Sequence, residues 1–187
     1  LAADNRKRQA KEAMSEQEFR ATLGLKIDVF QVQRQHLARV TQLVNKTNQF
    51  NLTTIRRSQD EIEVLANTRN ICVLGMEIKD RYGDYGLVGV SILEKQGRTC
   101  IIDTLLMSCR VLGRGAEETF VAKIIETAKT LECDEIRGKY IPTKKNGMVR
   151  DLYDRLSFVY DSSSGEWVFR ANETLDAPAG IEVVLRL

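Results

Sequence analysis

The sequence predicts an α+β fold, a mixed central sheet flanked by helices and preceded by a helical lead-in. Three observations carry that expectation. Up to about residue 67 apolar residues recur at helical spacing. From Asn70 the period falls to 2 across "NICVLGMEIKD", "GLVGVSILEK" and "TCIIDTLLM", three strands joined by the short turns "DRYGDYG" and "KQGR". An amphipathic run, "AEETFVAKIIETAKTL", then separates the third strand from "CDEIRGKYI". A strand that returns after a helix lies parallel to a neighbour, which makes the sheet mixed.

The elements follow in order. Residues 1 to about 24 are charged and end in a helical signal, with Ser15 and Glu18 as a capping box and Gly24 as C-cap. A long helix is expected from about Gln31 to Lys46, with Val32, Leu37, Val40, Leu43 and Val44 on one stripe. The Asn- and Thr-rich "NKTNQFNLTT" turns into irregular structure. Ser58 and Glu61 form a second capping box, opening a short helix to about Asn67. After the three-strand meander come helix Gly115 to Leu131, strand "CDEIRGKYI", loop "PTKKNG" and helix Met148 to Leu156. Strands near Phe158–Tyr160 and Glu166–Arg170 complete the pattern. The expected division is a lead-in over 1–57 and a domain over 58–187.

Composition narrows the function. The 187 residues carry 28 basic and 26 acidic groups, a net charge of +2, which argues against neutralising nucleic-acid phosphates as the main task. Four cysteines stand apart, without a C-x-x-C pair or a histidine at ligand spacing, so neither a disulfide framework nor a metal site is expected. Reduced thiols suit a cytoplasmic setting. No run reaches the roughly 18 apolar residues of a membrane span. The chain opens on Leu rather than Met, so a piece of a longer protein or a trimmed chain is expected.

The chemistry concentrates in "SCRVLGRGAEETF", Ser108 to Phe120, at a strand-to-helix junction. First-turn amides of a helix lack intrahelical partners and carry the positive end of its dipole, so they hold phosphate oxygens. Gly113 and Gly115 let such amides approach an anion, and Arg110 and Arg114 add positive charge. A tight turn explains the two glycines equally well. Cys109 lies beside this loop, where a helix N-terminus and Arg110 would favour a thiolate, although a cysteine at a strand end is also ordinary packing.

The pattern Arg-x-x-Gly-x-Gly resembles motif A of the GNAT acyltransferases. That resemblance implies a GNAT-like fold in which Ser108, Arg110, Val111, Gly113, Arg114, Gly115 and Ala116 contact the pyrophosphate of coenzyme A. It also implies that the preceding strand, through Leu106, offers its backbone to the pantetheine arm. "NGMVRDLYDRLSF" looks like motif B, which implies Asn146 at the strand end as a coenzyme contact and Tyr153 on the next helix, although "LSF" replaces the usual "LGF". Tyr153 would then protonate the departing thiolate; otherwise it is a core aromatic.

Longer stretches resemble the C-terminal half of FkbH-like proteins: "QLVNKTNQFNLTT", "DRYGDYGLVGV", "IDTLLMSCRVLGRGAEE" and "GKYIPTKKN". This likeness implies polyketide-type biosynthesis, a HAD-type domain on the same or a separate chain, and an acyl carrier protein as partner. No Asp-x-Asp nucleophile motif occurs here, so the phosphatase chemistry of that family is expected elsewhere.

Other candidates are weaker. His36, the only histidine, sits on a helix with no nucleophile at a recognisable spacing. Asp103 and Glu77, taken as lying on neighbouring strands, offer an acid-base pair or a solvated sheet face. Lys139 and "TKKNG" make a small basic cluster, suited to a phosphate, an acidic carrier surface or a solvated loop. Asn48, Gln49 and Asn51 are candidate substrate contacts.

Two functions are therefore expected to compete. One is acyl transfer from coenzyme A or from the phosphopantetheine arm of a carrier protein, with Tyr153 and Cys109 as catalytic candidates. The other is a non-catalytic carrier-docking module serving a HAD-type domain.

Overall fold

The computed structural model describes residues 16–187. Ser15, half of the first expected capping box, lies outside them. The described elements are α1 (Glu16–Leu23), β1 (Lys26–Gln31), α2 (Leu37–Lys46), α3 (Gln59–Ala66), β2 (Ile71–Asp80), β3 (Gly83–Gln96) and β4 (Thr99–Met107). There follow α4 (Ala116–Thr130), β5 (Glu135–Gly138), α5 (Leu152–Arg155), β6 (Val159–Asp161), β7 (Glu166–Arg170) and β8 (Glu182–Arg186).

The eight described strands form one mixed sheet in the order β6-β7-β5-β4-β3-β2-β1-β8. The β2-β3-β4 meander is antiparallel, and β5 returns parallel to β4 after the α4 crossover, as the sequence pattern requires. Alternation sends successive strand residues to opposite faces. Leu105 and Met107 join the core under α4 with Phe120 and Ile124, whereas Leu106 joins the core under α2 and α3 with Val40, Leu43 and Ile62.

Two strands escape the sequence reading. Lys26–Gln31 is a strand, and the helix expected from Gln31 begins only at Leu37, after a 3-10 turn over Arg34–His36. Ile27 and Val29 are buried at period 2, and Val32, whose amide donates to the Val73 carbonyl, continues this strand, while the rest of the stripe, from Leu37, is helical. β1 lies between β2 and β8, so this part of the expected lead-in is sheet. β8 was not expected at all; it pairs parallel with β1. The Ser58 box forms as read, Ser58 Oγ accepting from the Glu61 amide at 3.2 Å and Glu61 accepting from the Ser58 amide at 2.6 Å.

Candidate functional site

The sheet opens like a fork. β4 and β5 pair only from Thr99–Glu135 to Ile102–Gly138, so the carboxyl half of β4 has no β5 partner. The segment Phe50–Thr53 fills this gap. Leu52 donates its amide to the Leu105 carbonyl (3.1 Å), Met107 donates to the Phe50 carbonyl (3.0 Å), and Thr53 Oγ1 donates to the Asp103 carbonyl (2.9 Å). On the other tine, the Ile141 amide donates to the Leu52 carbonyl at 2.8 Å. Asn51 and Leu52 are fully buried and Phe50 nearly so. Leu106, expected to face a pantetheine arm, is bridged to Asn51.

Asn146 locks this strap. Its Nδ2 donates to the carbonyls of Asn51 and Ile141, each at 2.9 Å, and its Oδ1 accepts from the Thr143 amide at 2.7 Å. The amide is thus committed to tying loop and strap together rather than to a ligand. Asn51 Nδ2 donates to the Thr47 carbonyl, and its Oδ1 accepts from the Thr54 amide. The Phe50–Thr53 part of the "NKTNQFNLTT" segment therefore lines the edge of β4, held by the side-chain amides of Asn51 and Asn146.

Tyr153 stands at the root of the fork. Its ring packs on Phe158 and Trp167, and its hydroxyl is buried with no hydrogen-bond partner. The ring lies against Gly138, the last β5 residue paired with β4. Burial pushes the phenol well above its usual range, so it stays protonated.

The glycine loop has taken internal partners. Gly113 and Gly115 both adopt positive φ (73° and 81°), the left-handed conformation that favours glycine. The Gly113 amide, however, donates to Glu117 Oε1 at 3.1 Å. Desolvation raises the pKa of Glu117, whose Oε2 has no partner. Arg114 turns away from the loop, donating to Asp80 Oδ2 (2.7 Å) and to the Tyr85 hydroxyl (2.9 Å). A Cβ on Gly115 would meet Pro178 and Ile181, each at 3.1 Å, so the chain leading into β8 covers this glycine. Ala116 and Val111 are fully buried.

The residues on the far side of the β4 end come together in a recess of about 610 Å³. Its walls include Arg39 and Lys46 of α2, Asn48 and Gln49 of the strap entry, Ser108, Cys109 and Arg110 after β4, and Lys145 of the loop after β5. Cys109 is exposed and donates to Gln49 Oε1 at 3.2 Å; the other three cysteines are buried. Asn48 Oδ1 accepts from Arg56 Nη2 at 2.5 Å. Arg39 donates to the Leu87 carbonyl and to Gln42.

The remaining candidates have structural partners. His36 Nδ1 accepts from the Gln33 amide at 3.1 Å, and its ring packs on Phe30. Asp103 is paired with Arg57 at 2.7 Å and is separated from Glu77 by the whole of β3, so the two are not on neighbouring strands. Lys139 is paired with Glu166 at 3.3 Å. No group of side chains at metal-ligand spacing occurs among the described residues, and no described helix is long and apolar enough to cross a membrane. Sequence reasoning missed Glu117, Arg39 and Lys46. The sequence carries the signal for Glu117: a carboxylate in the first turn of a helix is drawn to its free amides.

Neither a family profile nor a curated protein matches the chain. Solved structures do. The spermidine N-acetyltransferase from Vibrio cholerae, solved with CoA and spermine, shares 15% identity over 80% of this chain and 98% of its own, at a TM-score of 0.58. A protein ascribed to the GNAT family from Desulfovibrio desulfuricans gives 12%, 79%, 99% and 0.59. The ribosomal-protein-S18-alanine N-acetyltransferase from Escherichia coli gives 8%, 76%, 90% and 0.55. The chain has the fold of the GNAT acetyltransferases.

Proposed function

We propose that this domain transfers an acyl group from a pantetheine thioester, carried by coenzyme A or by an acyl carrier protein. The observation that carries this reading is the Tyr153 hydroxyl, buried and unpartnered at the root of the β4/β5 fork. An orphaned buried hydroxyl costs free energy unless something accepts its proton, and a thioester sulfur in the fork would do so. As the acceptor attacks the carbonyl and the carbon–sulfur bond breaks, Tyr153 gives its proton to the departing sulfur, and the proton that the acceptor's N–H or S–H releases returns to the phenol, which burial keeps protonated. Spermidine and ribosomal protein are substrates of structural neighbours, and nothing in this site singles out either. The FkbH-like resemblance supports a glyceryl-type acyl group, polyketide-type biosynthesis, a cytoplasmic setting and a HAD-type partner domain.

The strap favours a second reading. Phe50–Thr53 already satisfies the β4 edge that a pantetheine arm would take, so the arm must displace it. Burying Phe50 and Leu52 is worth about 1.5–3 kcal/mol each. A fold that keeps this edge closed would serve as a platform that docks a carrier protein without chemistry.

Calorimetric titration with acetyl-coenzyme A and with an acylated carrier protein, followed by single-turnover transfer to an amine or thiol acceptor, tests both. The acyl-transfer reading expects binding, and transfer that falls at least tenfold in Tyr153→Phe. Binding of the carrier with no transfer, unchanged in Tyr153→Phe, leaves the docking platform.

A further inference from the structure

We infer that the recess at the carboxyl end of β4 is a phosphate site, distinct from the glycine loop, where the Gly113 amide and the Arg114 side chain already have internal partners. Four cations face it: Arg39, Lys46, Arg110 and Lys145. No carboxylate lines it. None of the four forms an ion pair among the described residues. Elsewhere the fold pairs its arginines readily, Arg57 with Asp103, Arg98 with Asp134, Arg114 with Asp80 and Arg137 with Glu135. A chain of net charge +2 has therefore gathered four unpaired positive charges around one concavity.

The sequence supplies this concentration from acid-free stretches. Between Asp28 and Asp60 there is no carboxylate, and Arg39 and Lys46 lie there. None lies between Asp103 and Glu117, around Arg110, nor between Glu135 and Asp151, around Lys145. The fold brings these three stretches together at one place. Unpaired charges so close repel one another, and an anion relieves that repulsion. Two guanidinium groups and two ammonium groups provide the fork and point-charge donors that bind phosphate oxygens. The size fits a small molecule rather than a nucleic-acid strand.

The glycine loop offers much less. Its Gly113 amide holds Glu117, Arg114 holds Asp80, and Gly115 lies under Pro178 and Ile181. A phosphate placed there would meet a carboxylate. The inference rests on the pantetheine reading only for the source of the phosphate, which is either the 4′-phosphate of the pantetheine arm or another phosphorylated metabolite.

The test is calorimetric titration of the intact chain with inorganic phosphate, 4′-phosphopantetheine and unphosphorylated pantetheine, at low and at physiological salt. The same titrations are run on Lys46→Glu and Arg110→Glu, with thermal melting to establish that both variants fold. Phosphate and 4′-phosphopantetheine should bind the wild type, weaken with salt, and lose at least tenfold in affinity in both variants. Recess-dependent binding of phosphate without any advantage for 4′-phosphopantetheine upholds the site and removes the pantetheine source. Binding of 4′-phosphopantetheine that neither variant weakens keeps the pantetheine reading and overturns the recess. If no phosphate compound binds, the recess inference also falls.

Discussion

The Tyr153 ring lies so close to Gly138 that a methyl group there would stand 2.3 Å from its Cζ and 2.6 Å from its hydroxyl oxygen. Glycine is needed at 138 to admit the ring, not to relax the backbone. Strand β5 and the helix after it are thereby set at the distance that puts a phenol at the root of the fork. Gly138→Ala must push the ring out of a full core, so the variant should lose about 2 kcal/mol or more. Tyr153→Phe should behave in the opposite way. It removes a buried hydroxyl without a partner, so stability should hold or rise by about 1 kcal/mol while acyl transfer falls. Denaturant unfolding of the two variants checks the pair, and a marked loss of stability in Tyr153→Phe would contradict the orphaned hydroxyl.

Asn146 closes the fork from the loop side. Asn146→Ala strips partners from the Asn51 and Ile141 carbonyls and from the Thr143 amide. Leaving such groups unpaired costs about 1–3 kcal/mol each before relaxation, so a loss of about 3 kcal/mol is expected. The strap should loosen first. Hydrogen exchange at the Leu52 and Met107 amides, which bind across the strap–β4 seam, should accelerate more than exchange in β2 or β3. Equal acceleration everywhere would mean that Asn146 supports the whole fold rather than the strap.

The thiols should separate cleanly. Burial raises Cys72 to about 11 and Cys100 to about 12, and it raises Cys133 as well, while Cys109 is exposed. A thiol reagent at pH 8 should modify one cysteine rapidly and the other three only on unfolding. Cys109→Ser should abolish the rapid phase. A second fast thiol in that variant would show that the core opens on the timescale of the reaction.

Much of the fold was legible because period and turn chemistry agree along the chain. The three-strand meander, the α4 crossover and the Ser58 box all appear where the residues demand them. β1 and β8 were lost for different reasons. Ile27 and Val29 precede an apolar Val32 that also fits the start of a helical stripe, while Val183 and Leu185 alternate in a short edge strand where both are only partly buried. The site was legible as a set of residues but not as a set of partnerships. No spacing rule says that Arg114 will reach thirty-four positions back to Asp80, or that Asn146 will hold Asn51 ninety-five residues away. Those bonds exist because the sheet brings distant segments side by side, and they decide which polar groups remain free for a ligand.

Glu117 makes the last such partnership testable by pH. Desolvation is the largest influence on its carboxyl and raises its pKa in the folded chain, against the weaker opposing pull of its own amide and that of Gly113. In the unfolded chain the same group titrates near its ordinary value of about 4.3. Below that value it is protonated in both states, and the stability tied to the neutral form is fully present. As pH rises through the folded value the buried group must lose its proton, and that stability is lost. Glu117→Gln cannot ionise, so the variant should gain on the wild type as pH climbs from 4 towards 7, whatever constant offset the amide introduces. Melting temperatures of both proteins across that range give the slope. A difference that stays flat or shrinks with pH would mean that the carboxyl ionises at no cost, and the glycine loop would then be more hospitable to anions than its present partners indicate.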